Sequence, residues 1–362
     1  MTKTDIAAGS ATGHNGPVPS RARQYYLPKF DGIHNLTIRD FDVPQPKASE
    51  VLVKVHAVSL NFRDLMIAQG TYPGSKHDNL VPCSDMAGEI VAVGADVEKW
   101  AVGDRVCANF TQEHLHGDPT PETMNSTLGG SWDGVLTEYH AFPTDSLVKV
   151  PDHLTYEEAS TLPCAALTAY NALHGPTPLK GGDWVLVQGT GGVSIFGLQI
   201  AAACGANVIA TSSSDEKLEL AKKLGAKHVI NYKKTPDWEK EVMKLTGGRG
   251  VDHVIEVGGP GTLTKSLDSL RMAGWVHVIG ILAGAQADVS DVPLKIVFKG
   301  AMLRGILIGS RTQFEDMNRL FSAREIHPVV DKVFDFEQAQ EAYKHLESQK
   351  HIGKVVIKVS KQ

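Results

Sequence analysis

The chain has 362 residues, 42% hydrophobic and 21% charged, with a net charge of −5. That length suits two domains better than one small core. The balance is that of an ordinary soluble globular protein, with no basic surface for nucleic acid and no charge signature for membranes; no apolar run reaches the ~18 residues a bilayer span needs.

Residues 1–20 are small, polar and Gly/Pro-containing, and are expected to form a flexible tail. They lack the apolar segment of a secretory signal and the arginines of a mitochondrial presequence. Cys83, Cys107, Cys164 and Cys204 are scattered, which fits reduced thiols and a cytoplasmic location. From Tyr25 to Val106 short alternating runs such as "EVLVKVHAVSL" predict strands. Phe110 to Gly134 is polar and predicts a long loop, and "VLTEYHAF" resumes strand character. After "KVPDHLTYEEASTLP" apolar runs alternate with helical patterns: "WVLVQ" with "GVSIFGLQIAAACG", "NVIAT" with "DEKLELAKKLGA", then "HVIN", "VDHVIEVG" and "WVHVIG". This is the rhythm of βαβ units in a doubly wound parallel sheet. The final "GKVVIKV" is expected to return to the first domain.

"GTGG" follows the strand "WVLVQ" and precedes a helix, the context a dinucleotide fingerprint requires. Gly189 is expected to make the tight turn and Gly191 to admit the pyrophosphate. Amides near Gly192 and Val193 then donate to the anion. Ser194 stands where the fingerprint has its third glycine. The second strand ends in "ATSSSDEK". Ser212, Ser213 and Ser214 offer hydroxyl donors where a carboxylate would grip the ribose of NAD, and Lys217 can pair with a 2′-phosphate. NADPH is therefore favoured over NADH. Asp215 reads as the next helix's N-cap.

The stretches "NFRDLMIAQGTYPG", "AGEIVAVGADVEKWAVGDRV", "TLPCAALTAYNAL", "GTGGVSIFGLQIA" and "LAKKLGAKHVINY" carry a resemblance. From about Tyr25 to Val359 the chain resembles the medium-chain dehydrogenase/reductase superfamily, and within it the zinc-independent quinone oxidoreductase and enoyl reductase branch. The resemblance implies an α/β architecture: a GroES-like β-barrel domain (21–155 and 312–362) and a Rossmann domain (156–311). Asn61, Ser84 and Cys164 fall at the positions where the alcohol dehydrogenase branch holds catalytic zinc, with Asp85 beside Ser84. Asn and Ser are poor zinc ligands, so no zinc is expected. Cys107 and the histidines of "EHLHGD" stand where that branch has its structural zinc loop; the histidines are expected to be exposed.

An acceptor reducible without a Lewis acid is a quinone or an α,β-unsaturated carbonyl, whose charge spreads into an enolate or phenolate. The resemblance points to Asn61 as the donor orienting the carbonyl and Tyr72 as donor or proton source. Arg63 and Asp64 are expected to pair or to act directly, and Asp85 is an alternative acid if buried. Further implied cofactor contacts are Thr168, Tyr232, Gly258, Ile279, Gly280, Ile281, Leu282, Gly309, Ser310, Arg311 and Lys354, the last at the phosphates. Alternatives are an alcohol or ketone dehydrogenase with an atypical or lost metal site, and a non-catalytic NADP(H)-binding protein. A homodimer is implied by the family, with "AMLRGILIG" pairing edge to edge.

Overall fold

The computed structural model describes residues 18–74, 77–280 and 288–360; the expected tail, apart from its last three residues, and the Ile281 and Leu282 contacts lie outside them. A ribbon of β1 (Arg21–Tyr26) and β2 (Thr37–Asp42) leads into β3 (Glu50–Leu60) and α1 (Phe62–Ala68). Then come β4 (Asp85–Val93), β5 (Arg105–Ala108), α2 (Pro121–Met124), β6 (Tyr139–Pro143), β7 (Leu147–Lys149) and α3 (Tyr156–Ala159). After α4 (Leu167–Leu173) the strands alternate with helices: β8 (Trp184–Gln188), α5 (Gly192–Ala203), β9 (Asn207–Ser212), α6 (Asp215–Lys223), β10 (His228–Asn231) and α7 (Trp238–Leu245). β11 (Val251–Glu256), α8 (Pro260–Ser269), β12 (Leu270–Val278), α9 (Val292–Lys299), β13 (Met302–Gly305) and α10 (Arg311–Arg324) continue the series. β14 (Val330–Asp335), α11 (Ala339–Glu347) and β15 (Lys354–Lys358) close the chain.

Among the described residues, the parallel sheet has the order β10-β9-β8-β11-β12-β13, a doubly wound order whose direction reverses between β8 and β11. Alternation along each strand splits its side chains between two cores. Val185 and Val187 face the core of Phe196 and Phe314, whereas Leu186 faces that of Trp238 and Val254. The GroES-like sheet runs β14-β15-β3-β4-β5-β7, with β6 also on β3. β15 thus returns to the first domain, pairing antiparallel with β3.

Four local expectations are corrected. Phe110–Gly134 is not a plain polar loop: it contains α2, and Phe110, Thr111, Gln112, Ser126 and Leu128 are buried, because polar side chains there bond to local backbone, as Ser126 Oγ does to Thr123 O at 2.6 Å. His114 is buried too, its Nε2 on Gly117 O at 2.9 Å, while His116 is exposed. The N-cap of α6 is Ser214, whose Oγ accepts from Lys217 N; Asp215 begins the helix and holds Asn231 and Lys234 instead. "AMLRGILIG" is strand only over Met302–Gly305, with Ile308 at φ 52°.

Candidate functional site

The carboxyl ends of the parallel strands gather the sequence-predicted cofactor residues. Gly189 to Val193 follow β8, Ser212 to Ser214 end β9, and Tyr232 follows β10 with its amide on Ser212 O at 3.1 Å. Gly258 follows β11, Ile279 and Gly280 follow β12, and Gly309 to Arg311 lead into α10. Such an edge, at the reversal of strand order, is where α/β sheets bind ligands.

The glycine turn fits a dinucleotide. Gly189 sits at φ 73°, a conformation that side chains resist. A Cβ on Gly191 would meet nothing within 4 Å, so open space borders the turn. No side chain caps α5, leaving its first amides to an anion. Ser194, in place of the third glycine, donates to Gln188 O at 2.6 Å and so ties the helix to the strand end. Because Gly191 has ordinary dihedrals (φ −74°, ψ 178°), Gly191→Ala is expected to leave the melting temperature unchanged. The same methyl would stand in the pyrophosphate's path, and titration should show dinucleotide affinity reduced at least tenfold.

Beside this turn lies a buried polar cluster. Gly353 N donates to Thr190 O at 3.0 Å, joining the return strand to the turn. Lys354 follows, 4% exposed, and its stem lies against Gly192, where a Cβ would approach Lys354 Cδ to 2.7 Å. Its ammonium does not reach for the phosphate turn as expected. It donates to Leu60 O at 2.6 Å and to Asn61 Oδ1, because those carbonyl oxygens are the acceptors available to a buried cation. Asn61 caps α1, with its backbone N–H on Asp64 Oδ2 at 2.8 Å. Asn61 Nδ2 donates to Ser84 Oγ at 3.4 Å, Ser84 Oγ to Asp85 Oδ1 at 2.6 Å, and Cys164 N to Asp85 Oδ2 at 3.0 Å. Cys164 sits in a π-type turn, Leu162–Ala166, a distortion frequent at functional sites.

Burial governs the ionisation here. It pushes Asp64 up to about 6 against the nearby Arg63 charge. It raises Asp85 as well, opposed by Lys354 and the Ser84 hydrogen bond, and drives the Cys164 thiol far up. Arg63 and Asp64 do not pair. Arg63 donates to Leu128 O at 2.8 Å and lies over the rings of Phe110 and Tyr72 at 4.6 and 5.3 Å. Tyr72 is half-buried beneath that guanidinium, and Thr168 is buried on α4.

Two cations are turned elsewhere. Lys217 Nζ donates to His351 O at 2.9 Å and Gln349 O at 3.3 Å. The Arg311 guanidinium faces Asp145 and Glu315, so only its backbone remains toward the strand edge, with its N–H on His114 O. Sequence reasoning missed Glu256, a buried carboxylate accepting from Gln188, Gly258, Gly259, Thr262 and Ser266 at the strand reversal. The available signal was a polar residue ending each of two adjacent apolar runs, "WVLVQ" and "VDHVIE". Among the described residues, no group of three His, Cys, Asp or Glu gathers as a metal set.

Comparison with known proteins places these features. Residues 47–152 match the Alcohol dehydrogenase GroES-like domain family and residues 192–323 the Zinc-binding dehydrogenase family. A zinc-type alcohol dehydrogenase-like protein of Schizosaccharomyces pombe is 49% identical over 91% of this chain and 97% of its own length. Acryloyl-coenzyme A reductase of Metallosphaera sedula is 31% identical over 88% and 95%. The crystal structure of a putative alcohol dehydrogenase from Sinorhizobium meliloti 1021 superposes with a TM-score of 0.87 at 39% identity, covering 94% of this chain and all of that one.

Proposed function

The chain belongs to the medium-chain dehydrogenase/reductase superfamily and is an oxidoreductase of it, and within that family we propose that it reduces quinones or α,β-unsaturated carbonyls with NADPH and without catalytic zinc. The observation that carries this reading is the donor chemistry around Asn61. An ammonium occupies Asn61 Oδ1 and a hydroxyl occupies its Nδ2. Zinc needs three good protein ligands, and of the three positions only Cys164 supplies one, beside Asn61 and Ser84. A cation fixed on Asn61 further opposes a second cation beside it.

The nicotinamide, when bound, supplies a hydride. The residues supply the rest: the glycine turn and the α5 amides hold the pyrophosphate, and the serines of β9 leave room for a 2′-phosphate. An Asn61 N–H donates to the substrate carbonyl, where charge accumulates as hydride adds to the conjugated carbon. The Tyr72 hydroxyl returns a proton to the enolate. An acryloyl thioester is such an acceptor, and the 31% relative is named for it.

The test mixes purified protein and NADPH with a panel of enones, quinones and simple ketones. Loss of the nicotinamide absorbance with conjugated acceptors alone is expected; no loss with any of them sinks the reading. The names of the relatives favour a second reading, an alcohol or ketone dehydrogenase with an atypical metal site. One zinc per chain, removed together with activity by a chelator, would establish that reading instead. For cofactor choice, Ser212→Asp is expected to move the NADPH/NADH preference at least tenfold toward NADH, read from kcat/KM with each. A carboxylate repels the 2′-phosphate and accepts from a 2′-hydroxyl.

A homodimer through the sheet edge also fits. β13 is an edge strand, and α9, which precedes it and packs on β12, exposes Leu294, Val297 and Phe298 at 61, 74 and 75%, an apolar surface of the kind that marks interfaces. Among the described residues, no helix is long and apolar enough to cross a membrane; a cytoplasmic location is part of the proposal.

A further inference from the structure

We propose that Lys354 is a positioning residue for the reduction: through a one-way chain of hydrogen bonds it fixes the Asn61 amide with its NH2 group turned toward Ser84, ready to donate to a carbonyl. The inference rests on the reading that an enone or quinone binds at Asn61.

The argument begins with what each group can do. An ammonium donates and cannot accept, so the Asn61 atom facing Lys354 Nζ must be the oxygen. The amide nitrogen then faces the other way, where one N–H meets Ser84 Oγ at 3.4 Å. The Ser84 hydroxyl spends its proton on Asp85 Oδ1 at 2.6 Å, which leaves lone pairs toward Asn61. Asp85 Oδ2 takes the Cys164 amide at 3.0 Å. Every link runs in one direction, from a cation to a carboxylate. Turning the amide over would set NH2 against NH3+ and oxygen against the lone pairs of Ser84.

The chain also polarises what it orients, since hydrogen bonds in series within a low-dielectric site reinforce one another. The Asn61 amide also bonds to the Asp85 carboxylate, and its contact with Ser84 Oγ is long, 3.4 Å, so that N–H is the one a substrate carbonyl would take. Asn61 is buried but not sealed, at 8% exposure. Retaining Lys354 at 4% exposure is costly, because a methionine of similar length would fill the space without desolvating a charge. Its second bond, to Leu60 O at 2.6 Å, pins it to the residue preceding Asn61. Lys354 therefore acts on the backbone and the side chain of one place. Its stem against Gly192 links that place to the cofactor turn.

Three variants test this: Lys354→Met, Asn61→Ala and the double variant, with NADPH and an enone that the wild type reduces. Lys354→Met is expected to lower kcat about tenfold while the NADPH dissociation constant, from fluorescence titration, stays within twofold. The double variant should be no slower than Asn61→Ala, because Lys354 acts through Asn61. Lys354→Gln, which keeps a donor, should recover part of kcat and serves also if the methionine variant fails to fold. Additive losses would overturn the proposal. So would weaker NADPH binding at unchanged kcat, which would assign the ammonium to the phosphates. Should the wild type reduce no acceptor, the functional reading falls, and side-chain amide NMR of asparagine-labelled protein decides the relay by itself. The Asn61 NH2 pair, identified by its loss in Asn61→Ala, should contact the Ser84 β-protons in wild type and lose that contact in Lys354→Met. No such contact in the wild type overturns the relay.

Discussion

Glu256→Ala is expected to lower the unfolding free energy by about 4 kcal/mol and to abolish dinucleotide binding. Five donors converge on this carboxylate: Gly258 N at 2.8 Å, Gly259 N at 3.0 Å, Thr262 Oγ1 at 2.6 Å, Gln188 Nε2 at 2.9 Å and Ser266 Oγ. Glu256 is fully buried, and Ser266 and Gln188 nearly so. Removing an acceptor strands each donor at roughly 1–3 kcal/mol; Gln188 keeps Ser266 Oγ at 2.6 Å as a second partner, and local relaxation offsets part of the rest. Glu256→Gln is the sharper control. It keeps the shape but trades one acceptor oxygen for an NH2, so either the Gly258 and Gly259 amides or the Gln188 NH2, none of which accepts, loses its partner, and about 2 kcal/mol should be lost. Urea unfolding of the three proteins gives the free energies, and a loss under 1 kcal/mol for the alanine variant would show that water replaces the carboxylate. Binding fails with it because the network joins the end of β8, where the glycine turn starts, to the turn after β11. Those two ends border the reversal of strand order.

That network marks the boundary of what the sequence discloses. The parallel sheet was legible because period, turn residues and helix signals agree at every βα unit. The glycine turn was legible because its chemistry is local: Gly189 needs its φ of 73° whatever surrounds it. Glu256 was not, since it ends a run that reads as apolar strand and its five partners come from four places, the end of β8, the Gly258–Gly259 turn, and Thr262 and Ser266 of α8. Lys354 shows the same limit from the other side. Its place beside the turn followed from the resemblance, yet the acceptor it chose, Asn61, lies 293 residues away in sequence. Lys217 was expected at a 2′-phosphate and Arg311 among the cofactor contacts, whereas their side chains lie on the His351 carbonyl and toward Asp145. A spacing pattern records where a backbone turns. It does not record which acceptor wins a buried donor, because that is decided by desolvation over the whole fold. The corrected segment from Phe110 to Gly134 follows the same rule: polar composition meant internal hydrogen bonds toward its two ends as well as exposure between, over 116–122.

The largest expected response to conditions is a loss of stability on mild acidification, carried by imidazoles held neutral in the core. Burial pulls His277 down to about 3 and His56 to about 4, from an ordinary 6.5; His253 and His351 are lowered for the same reason. His277 and His56 each have under a tenth of their surface exposed. Below 6.5 the unfolded chain binds protons that the native state refuses, so the stability present above 6.5 is lost as the pH falls toward the native values. Down to about pH 5, each of these two histidines costs about 2 kcal/mol. Asp64 works in the opposite sense. Its native value near 6 lies above that of the unfolded carboxyl, so the native state takes up the proton first and regains about 1 kcal/mol over the same interval; Asp85 adds a contribution of the same sign. The histidines win: His277 and His56 against Asp64 alone leave a net loss of about 3 kcal/mol from pH 7 to about pH 5, and His351, drawn down to about 4, and His253 add to it, as urea unfolding should show. The pair is the place to interrupt it. His253 Nδ1 and His277 Nε2 are 3.0 Å apart, and the His277 ring stacks between His253 and Trp275. The buried Nδ1 of His277 has no partner, which favours the tautomer in which that atom carries no hydrogen and Nε2–H donates to His253. Phenylalanine at 277 preserves the stacking and cannot take up a proton. His277→Phe should therefore flatten the acid slope by about one proton, and a slope equal to that of the wild type would mean that the imidazole is not kept neutral by the core.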